Sequence, residues 1–76
     1  MPPRPYNLLF MRVTLNGEAK SLAEGLSLDQ LVRELSLEKQ PIAVELNRNV
    51  VPRDRYGDIR LTEGDRLEIV TFVGGG

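Results

Sequence analysis

The sequence contains no cysteine, no histidine and no tryptophan, and the first two absences each exclude a class of chemistry. Without cysteine there is neither a disulfide framework nor a thiolate zinc site. Without histidine the chain lacks the side chain that most often serves as general base and as metal ligand. We therefore expect no metal site, no bound cofactor and no catalysis by a reactive side chain, so the protein is not expected to be an enzyme.

The chain also has little net charge and no long apolar run. Ten basic residues against eleven acidic ones give a formal net charge of -1, which lacks the excess of lysine and arginine that binding to nucleic acid requires. No apolar run approaches the ~20 residues of a membrane span, and none near the start has signal-peptide length. We expect a cytoplasmic protein that binds neither nucleic acid nor membrane.

A length of 76 residues suits one small domain. We divide the chain into an N-terminal extension at residues 1–10, a folded domain at 11–73 and a glycine tail at 74–76. The extension holds prolines at positions 2, 3 and 5, which block helix and sheet pairing. It is therefore expected to be a disordered leader and not a functional arm.

Alternating apolar and polar residues predict a strand that begins at Met11. Asn16 and Gly17 follow it, and this dipeptide is the strongest short-range signal for a two-residue hairpin turn. The chain should then return antiparallel through residues 19–22. The N-terminal part of the domain is predicted to be a hairpin.

A helix is predicted to begin at Leu28, because Ser27 and Gln30 have the spacing of a capping box. Pro41 is expected to close the helical segment. Asp29 and Arg33 should form an exposed pair one turn apart. The apolar stripe of this helix consists of Leu28, Leu31, Val32 and Leu35.

The second half of the domain reads as strands separated by turns. A third strand is predicted at 42–47 and a tight turn at 47–49. Residues 52–60 read as a loop that includes a one-turn helix, and 62–65 as a turn before the last strand, 66–73. This order predicts an α+β fold of the β-grasp, or ubiquitin-like, type: one mixed sheet, one main helix on one face, and the first and last strands parallel at the centre.

The last strand should present different side chains to its two faces. Leu67 and Ile69 are expected to face the helix, which directs Val70, Phe72 or both toward the open face of the sheet. We assign these two residues to a partner-docking surface, because exposed aromatic residues are enriched at interfaces. An ordinary core or edge position is the alternative, above all for Val70.

The remaining unusual feature is the glycine tail. Gly74, Gly75 and Gly76 have no side chain, so they fit a channel too narrow for other residues, and they extend about 10 Å beyond the last strand. At neutral pH Gly76 would end in a carboxylate, which a partner enzyme can activate as an acyl adenylate. A frayed tail without function is the alternative.

These features together resemble the ThiS family, the ubiquitin-like sulfur carrier proteins of thiamine biosynthesis that end in Gly-Gly. The resemblance covers Met11 to Gly76, and its most specific part is Asn47, two intervening residues and then Val-Val-Pro-Arg at 50–53. The matching segments are Met11–Gly17, Ala43–Asn47 with Val50–Arg53, and Gly64–Ile69 leading into Val73–Gly76. The extension at 1–10 has no counterpart in the family pattern, and Gly74 stands where such carriers often have alanine.

The resemblance implies a function and a set of partners. Gly76 would be adenylated by a ThiF-type enzyme that uses ATP and then converted to a thiocarboxylate, with a sulfur-donating enzyme such as a cysteine desulfurase. The sulfur would pass to thiazole synthase (ThiG) for the thiazole ring of thiamine. Gly74 and Gly75 would occupy the partner's active-site channel.

Three alternatives remain at this point. The small subunit of molybdopterin synthase shares the fold and tail, but usually carries a Phe-Pro-Pro-Val-like stretch, whereas Thr71–Val73 contains no proline. A ubiquitin-like protein modifier would start from the same adenylate. A β-grasp interaction module with an inert tail is the third.

Charged residues are predicted mainly to face solvent, and docking of a partner is the less favoured interpretation. The arginines of the loop region are Arg48, Arg53, Arg55 and Arg60. The acidic residues considered for attraction of a basic activating enzyme are Glu18, Glu24, Glu45, Glu63, Asp65 and Glu68.

Overall fold

The computed structural model describes residues 10–72. The expectations for residues 1–9 and for the glycine tail lie outside the described residues. In chain order the elements are β1 (Phe10–Leu15), β2 (Glu18–Ala23), α1 (Leu28–Glu34), β3 (Ile42–Leu46), β4 (Asn49–Val51), a 3₁₀ helix (Arg53–Asp58) and β5 (Arg66–Thr71).

The strands form one five-stranded sheet in the order β2-β1-β5-β3-β4. β1 and β5 are parallel neighbours at the centre, and the other three pairings are antiparallel. The helix α1 lies on one face, with Leu28, Leu31 and Val32 buried in the core. This is the β-grasp arrangement, so the predicted fold class is confirmed.

Both tight turns have the backbone that a two-residue hairpin requires. Asn16 and Gly17 have φ values of 51° and 86°, and Asn47 and Arg48 have 51° and 73°. Positive φ at both central residues matches the twist of the flanking strands. The predictions of these two hairpins are confirmed.

The first strand begins at Phe10, one residue before the predicted start. Phe10 pairs with Ala23 across the hairpin, while its side chain is 56% exposed. The buried residues of β1 are Met11 and Val13. Because only side chains that face the core create the apolar alternation, the pattern begins one residue later than the backbone pairing does.

The start of α1 is confirmed in detail. The Ser27 hydroxyl accepts a hydrogen bond from the Gln30 backbone N–H at 3.0 Å, and the Gln30 side chain accepts one from the Ser27 N–H at 2.9 Å. Asp29 and Arg33 form the expected ion pair at 3.0 Å. The capping box therefore determines where the helix begins.

The predicted end of the helical segment at Pro41 is wrong. The helix ends at Glu34, and Ser36 has a φ of 61°. The Ser36 N–H donates to the Arg33 carbonyl and the Leu37 N–H to the Val32 carbonyl, both at 2.9 Å. These two bonds form a Schellman motif, which ends a helix by satisfying its last carbonyls. Serine is not a typical residue for that position, so no residue type in this segment signals the end of the helix.

The two turn asparagines also bind β5. The Asn16 side chain accepts from the Ile69 N–H at 2.8 Å and donates to the Ile69 carbonyl at 3.2 Å, so it pairs like a strand residue beyond the end of β1. The Asn47 side chain accepts from the Arg66 N–H at 2.9 Å. These bonds hold β5 along both of its edges, one next to β1 and the other next to β3.

We expect Asn16→Gly to lower the free energy of unfolding by about 2 kcal/mol, because two backbone groups of Ile69 lose their partners. Glycine retains the positive φ of the turn, so this variant isolates the side-chain bonds from the backbone conformation. Asn16→Asp, which keeps an acceptor, should fall between the two. Urea unfolding measures all three, and equal stability of Asn16→Gly and wild type would show that these bonds do not stabilise the fold.

The 3₁₀ helix replaces the one-turn helix expected in the loop, and it buries Tyr56. The Arg53 guanidinium lies 5.8 Å from the centre of the Tyr56 ring. Burial raises the pKa of the Tyr56 phenol above its ordinary value, and the Arg53 charge opposes that shift. The folded state therefore holds the phenolic proton more tightly than the unfolded state does.

This difference predicts a loss of stability in alkali. Above a pH of about 10 the unfolded chain releases the Tyr56 proton while the folded chain keeps it, so the free energy of unfolding falls as pH rises. Tyr56→Phe should remove that part of the decline. Chemical unfolding of both proteins at neutral and alkaline pH measures the difference, and parallel pH profiles would contradict it.

Candidate functional site

The strand β5 leads directly into the glycine tail and is held on both edges. It pairs with β1 through Arg66 and Leu67 and with β3 as far as Thr71. The Phe72 N–H donates to the Pro41 carbonyl at 2.9 Å, which extends this support one residue further. Gly74, Gly75 and Gly76 lie outside the described residues. The folded body therefore fixes the chain to within a few residues of the tail.

The side chains of β5 alternate as expected. Leu67 and Ile69 are buried, with 1% and 7% exposure, whereas Val70 and Phe72 are 53% and 55% exposed. Val70 lies opposite Ala43 of β3, whose small side chain covers little of it. The predicted exposure of both residues is thus observed, and their role in docking stays a prediction.

Sequence reasoning missed a third exposed apolar residue on this side of the sheet. Val50 of β4 is 71% exposed, while the next residue, Val51, is buried. Val50 lies opposite Glu45, and Glu45 lies opposite Glu68. The alternation within β4 was the available signal, but a strand of three residues gives too short a pattern to assign its faces.

We define the docking face as the side chains that β3, β4 and the segment from Glu68 to Phe72 present on the open face of the sheet. It consists of Ala43, Glu45, Val50, Glu68, Val70 and Phe72. Phe10 is exposed as well, but it lies at the start of β1. Because β1 runs parallel to β5 and its last residue, Leu15, aligns with Leu67, Phe10 is at the opposite end of the sheet from Phe72.

Arginines of the loop region hold the backbone of neighbouring loops. Arg53 donates to the carbonyls of Gln40 and Glu38 at 2.9 and 2.6 Å. Arg60 donates to the Gly25 carbonyl at 3.0 Å. Arg53 belongs to the most specific motif of the sequence, and its observed contacts are structural. In the same region Arg55 forms an ion pair with Asp58 at 3.3 Å.

No group of three or more potential metal ligands lies together within residues 10–72. Over the same range no helix has the length and apolar character to cross a bilayer. A groove of about 360 Å³ lies beside Asn47, Val50 and Arg55, at the other end of β3 from Pro41 and the tail. The tail and the docking face therefore remain the candidate site.

Comparison with known proteins identifies the family. The sequence pattern of the ThiS family matches residues 13–76. The chain belongs to the ThiS family. It is also similar to the solved structure of the thiamine biosynthesis protein ThiS from Geobacter metallireducens, with a TM-score of 0.74 and 32% sequence identity. That match covers 87% of this chain and 100% of the other.

Curated relatives agree with this assignment. The sulfur carrier protein ThiS of Thermus thermophilus is 36% identical over 84% of this chain and 98% of its own length. That of Bacillus subtilis is 36% identical over 66% of this chain and 76% of its own length. The family is one of small carrier proteins, so the chain is not an enzyme.

A different kind of relative is a larger protein. The thiazole synthase of Magnetococcus marinus is 41% identical over 66 residues, and that of Paramagnetospirillum magneticum is 36% identical over the same length. Each alignment covers 87% of this chain but only 20% of the relative. The chain thus spans about a fifth of the length of these two proteins.

Proposed function

We propose that this chain carries sulfur on the carboxyl group of Gly76 for formation of the thiazole ring in thiamine biosynthesis. The main structural support is β5, which is bonded on both edges and extended by the Phe72 contact with Pro41. The docking face includes Glu68 and Val70 of the same strand and Phe72 directly after it. A partner that binds this face receives a tail whose starting point is fixed.

The proposed chemistry begins with the carboxylate of Gly76. Its oxygen attacks the α-phosphorus of ATP in a ThiF-type adenylating enzyme, and pyrophosphate leaves. The acyl adenylate has a better leaving group than the free acid, so the outer sulfur of a persulfide formed by the cysteine desulfurase displaces AMP and gives an acyl disulfide. A second thiol of the partner then attacks the partner's own sulfur in that S–S bond, which releases the carrier's sulfur and leaves a disulfide on the partner. The product is a thiocarboxylate. The adenylating enzyme provides the ATP site and the donors that stabilise the developing charge, so the carrier needs no cofactor of its own.

The tail has the length and width for this role. Four residues follow Phe72, up to and including Gly76, and in extended form they reach about 13 to 14 Å. The last three are glycines, which pass through a channel that would exclude a side chain. The body can therefore remain docked outside the partner while Gly76 reaches the reacting atoms.

Thiazole synthase is the proposed recipient of the sulfur. Two proteins named thiazole synthase contain a segment similar to this chain, which supports a link between carrier and synthase. We place the charging of Gly76 and the transfer of its sulfur in the cytoplasm. The adenylating enzyme and the sulfur donor are the other proposed partners.

Reconstitution with cysteine that carries an isotopic label on its sulfur atom tests the proposal. The chain is incubated with the adenylating enzyme, ATP, the desulfurase and thiazole synthase with its other substrates, and label is followed by mass spectrometry. We expect label in the thiazole product, and none when the carrier lacks Gly76. Label in molybdopterin or a bond to protein lysines in parallel reactions, with none in thiazole, would instead assign the chain to one of the alternative functions.

A further inference from the structure

Two acidic residues of the docking face are placed directly against each other. Glu45 of β3 and Glu68 of β5 are paired residues in adjacent antiparallel strands, so their Cβ atoms are about 4.5 to 5.5 Å apart on the same face. Both side chains are exposed. Like charges at directly opposite positions destabilise a sheet, so this arrangement lowers the stability of the isolated protein.

No lysine or arginine within residues 10–72 forms an ion pair with either glutamate. The ion pairs of the described residues, Asp29 with Arg33 and Asp58 with Arg55, lie elsewhere. Arg66 is on the same face, two residues before Glu68, but no contact within 4.0 Å joins them in the structure. The two glutamates therefore have no ion-pair partner among the described residues, and the other residues of the docking face are apolar.

The surroundings of the pair determine what it can bind. Val50 lies beside Glu45, and Val70 follows two residues after Glu68 on the same face. A protein that packs against these valines removes water from both carboxylates. Desolvated carboxylates without a partner are costly, so a bound surface must supply a cation at this position.

We propose that Glu45 and Glu68 together receive an arginine guanidinium of the adenylating enzyme when the docking face binds. This inference rests on the proposed function and specifies the partner's chemistry. A guanidinium suits the pair because it presents several donors in one plane and is less strongly hydrated than an ammonium. The pair then acts as a specificity determinant, since apolar surfaces that lack the cation are rejected.

The charges argue against a second copy of this chain as the occupant. Packing two identical docking faces together would bring the two glutamate pairs into the same apolar interface. This arrangement adds like-charge repulsion to the desolvation cost. We therefore expect sedimentation of the wild-type protein to show a monomer. A wild-type dimer whose affinity increases in the double variant Glu45→Gln, Glu68→Gln would overturn the proposal.

The test measures adenylation by pyrophosphate release as a function of carrier concentration. We expect Glu45→Gln or Glu68→Gln to raise the KM for the carrier about tenfold, since each loses a charge-assisted hydrogen bond. The double variant should lose more, and kcat should change little because the pair lies well before the tail. Glu38→Gln is the matched control: it removes one charge from an exposed position in the loop before β3, and its KM should equal that of wild type.

Stability provides a second readout that separates docking from a structural role. Removing one carboxylate relieves the repulsion, so both single variants should be at least as stable as wild type while they bind more weakly. The salt dependence of binding should also decrease in these variants. Adenylation of wild type with unchanged KM in both single variants would overturn the inference alone, whereas absence of adenylation in wild type would overturn the proposed function and this inference with it.

Discussion

Replacing Gly75 with valine should reduce charging of the carrier by about 100-fold or more without changing its stability. Two branched methyl groups would widen the tail next to the reacting carboxyl, and a displacement of about 1 Å at a reaction centre can cost that much. Gly74→Ala should retain most activity, because alanine often occupies that position in the carriers that the chain resembles. Formation of thiocarboxylate, followed by intact mass at several times, measures the three proteins.

Gly57→Ala is the matched control for this series. Gly57 lies in the 3₁₀ helix, its φ is not positive, and an added Cβ would have no heavy atom within 4 Å. This substitution should leave both charging and stability unchanged. If Gly75→Val were charged as fast as Gly57→Ala, the tail would not enter a narrow channel and the reason for three glycines would be lost.

The second large effect concerns the strand that carries the tail. Leu67→Ala should lower the free energy of unfolding by about 2 to 5 kcal/mol, because Leu67 is 1% exposed and lies between β1 and β3. A small domain has about 5 to 15 kcal/mol in total. We therefore expect a large fall in the urea midpoint and a matching loss of carrier activity on warming.

Val70→Ala on the same strand should behave differently. Because Val70 is 53% exposed, its truncation should change the free energy of unfolding by no more than about 0.5 kcal/mol. Its effect should appear as a higher KM for the carrier in adenylation. If Val70→Ala were as destabilising as Leu67→Ala with no effect on KM, the open side of the sheet would be part of the core and not a docking face.

Much of the fold was predictable because some residues specify local geometry. Asn16 with Gly17 specifies a hairpin through positive φ, and Ser27 with Gln30 specifies a helix start through reciprocal hydrogen bonds. Ser36 gave no such signal. It adopts a positive φ because the Schellman bonds and the packing of Leu37 against the core support it, and these are properties of the folded chain.

The residues of the candidate site also differ in whether the sequence alone predicts their positions. Phe72 and Val70 follow from alternation along one strand, which the sequence displays directly. The apposition of Glu45 and Glu68 depends on the register between β3 and β5, and no local pattern specifies which residues of two distant strands become partners. The contacts of Arg53 were missed for a related reason, since it binds backbone carbonyls of another loop and any residue type can supply those.

The most direct test of this account is the location of the sulfur atom on the protein. The native protein, isolated after charging with the adenylating enzyme, ATP and the sulfur donor, is fragmented in a mass spectrometer. We predict a chain that ends at Gly76, with one oxygen of the terminal carboxyl replaced by sulfur and no change elsewhere. Sulfur on any other residue, or an active chain that continues past Gly76, would contradict the account.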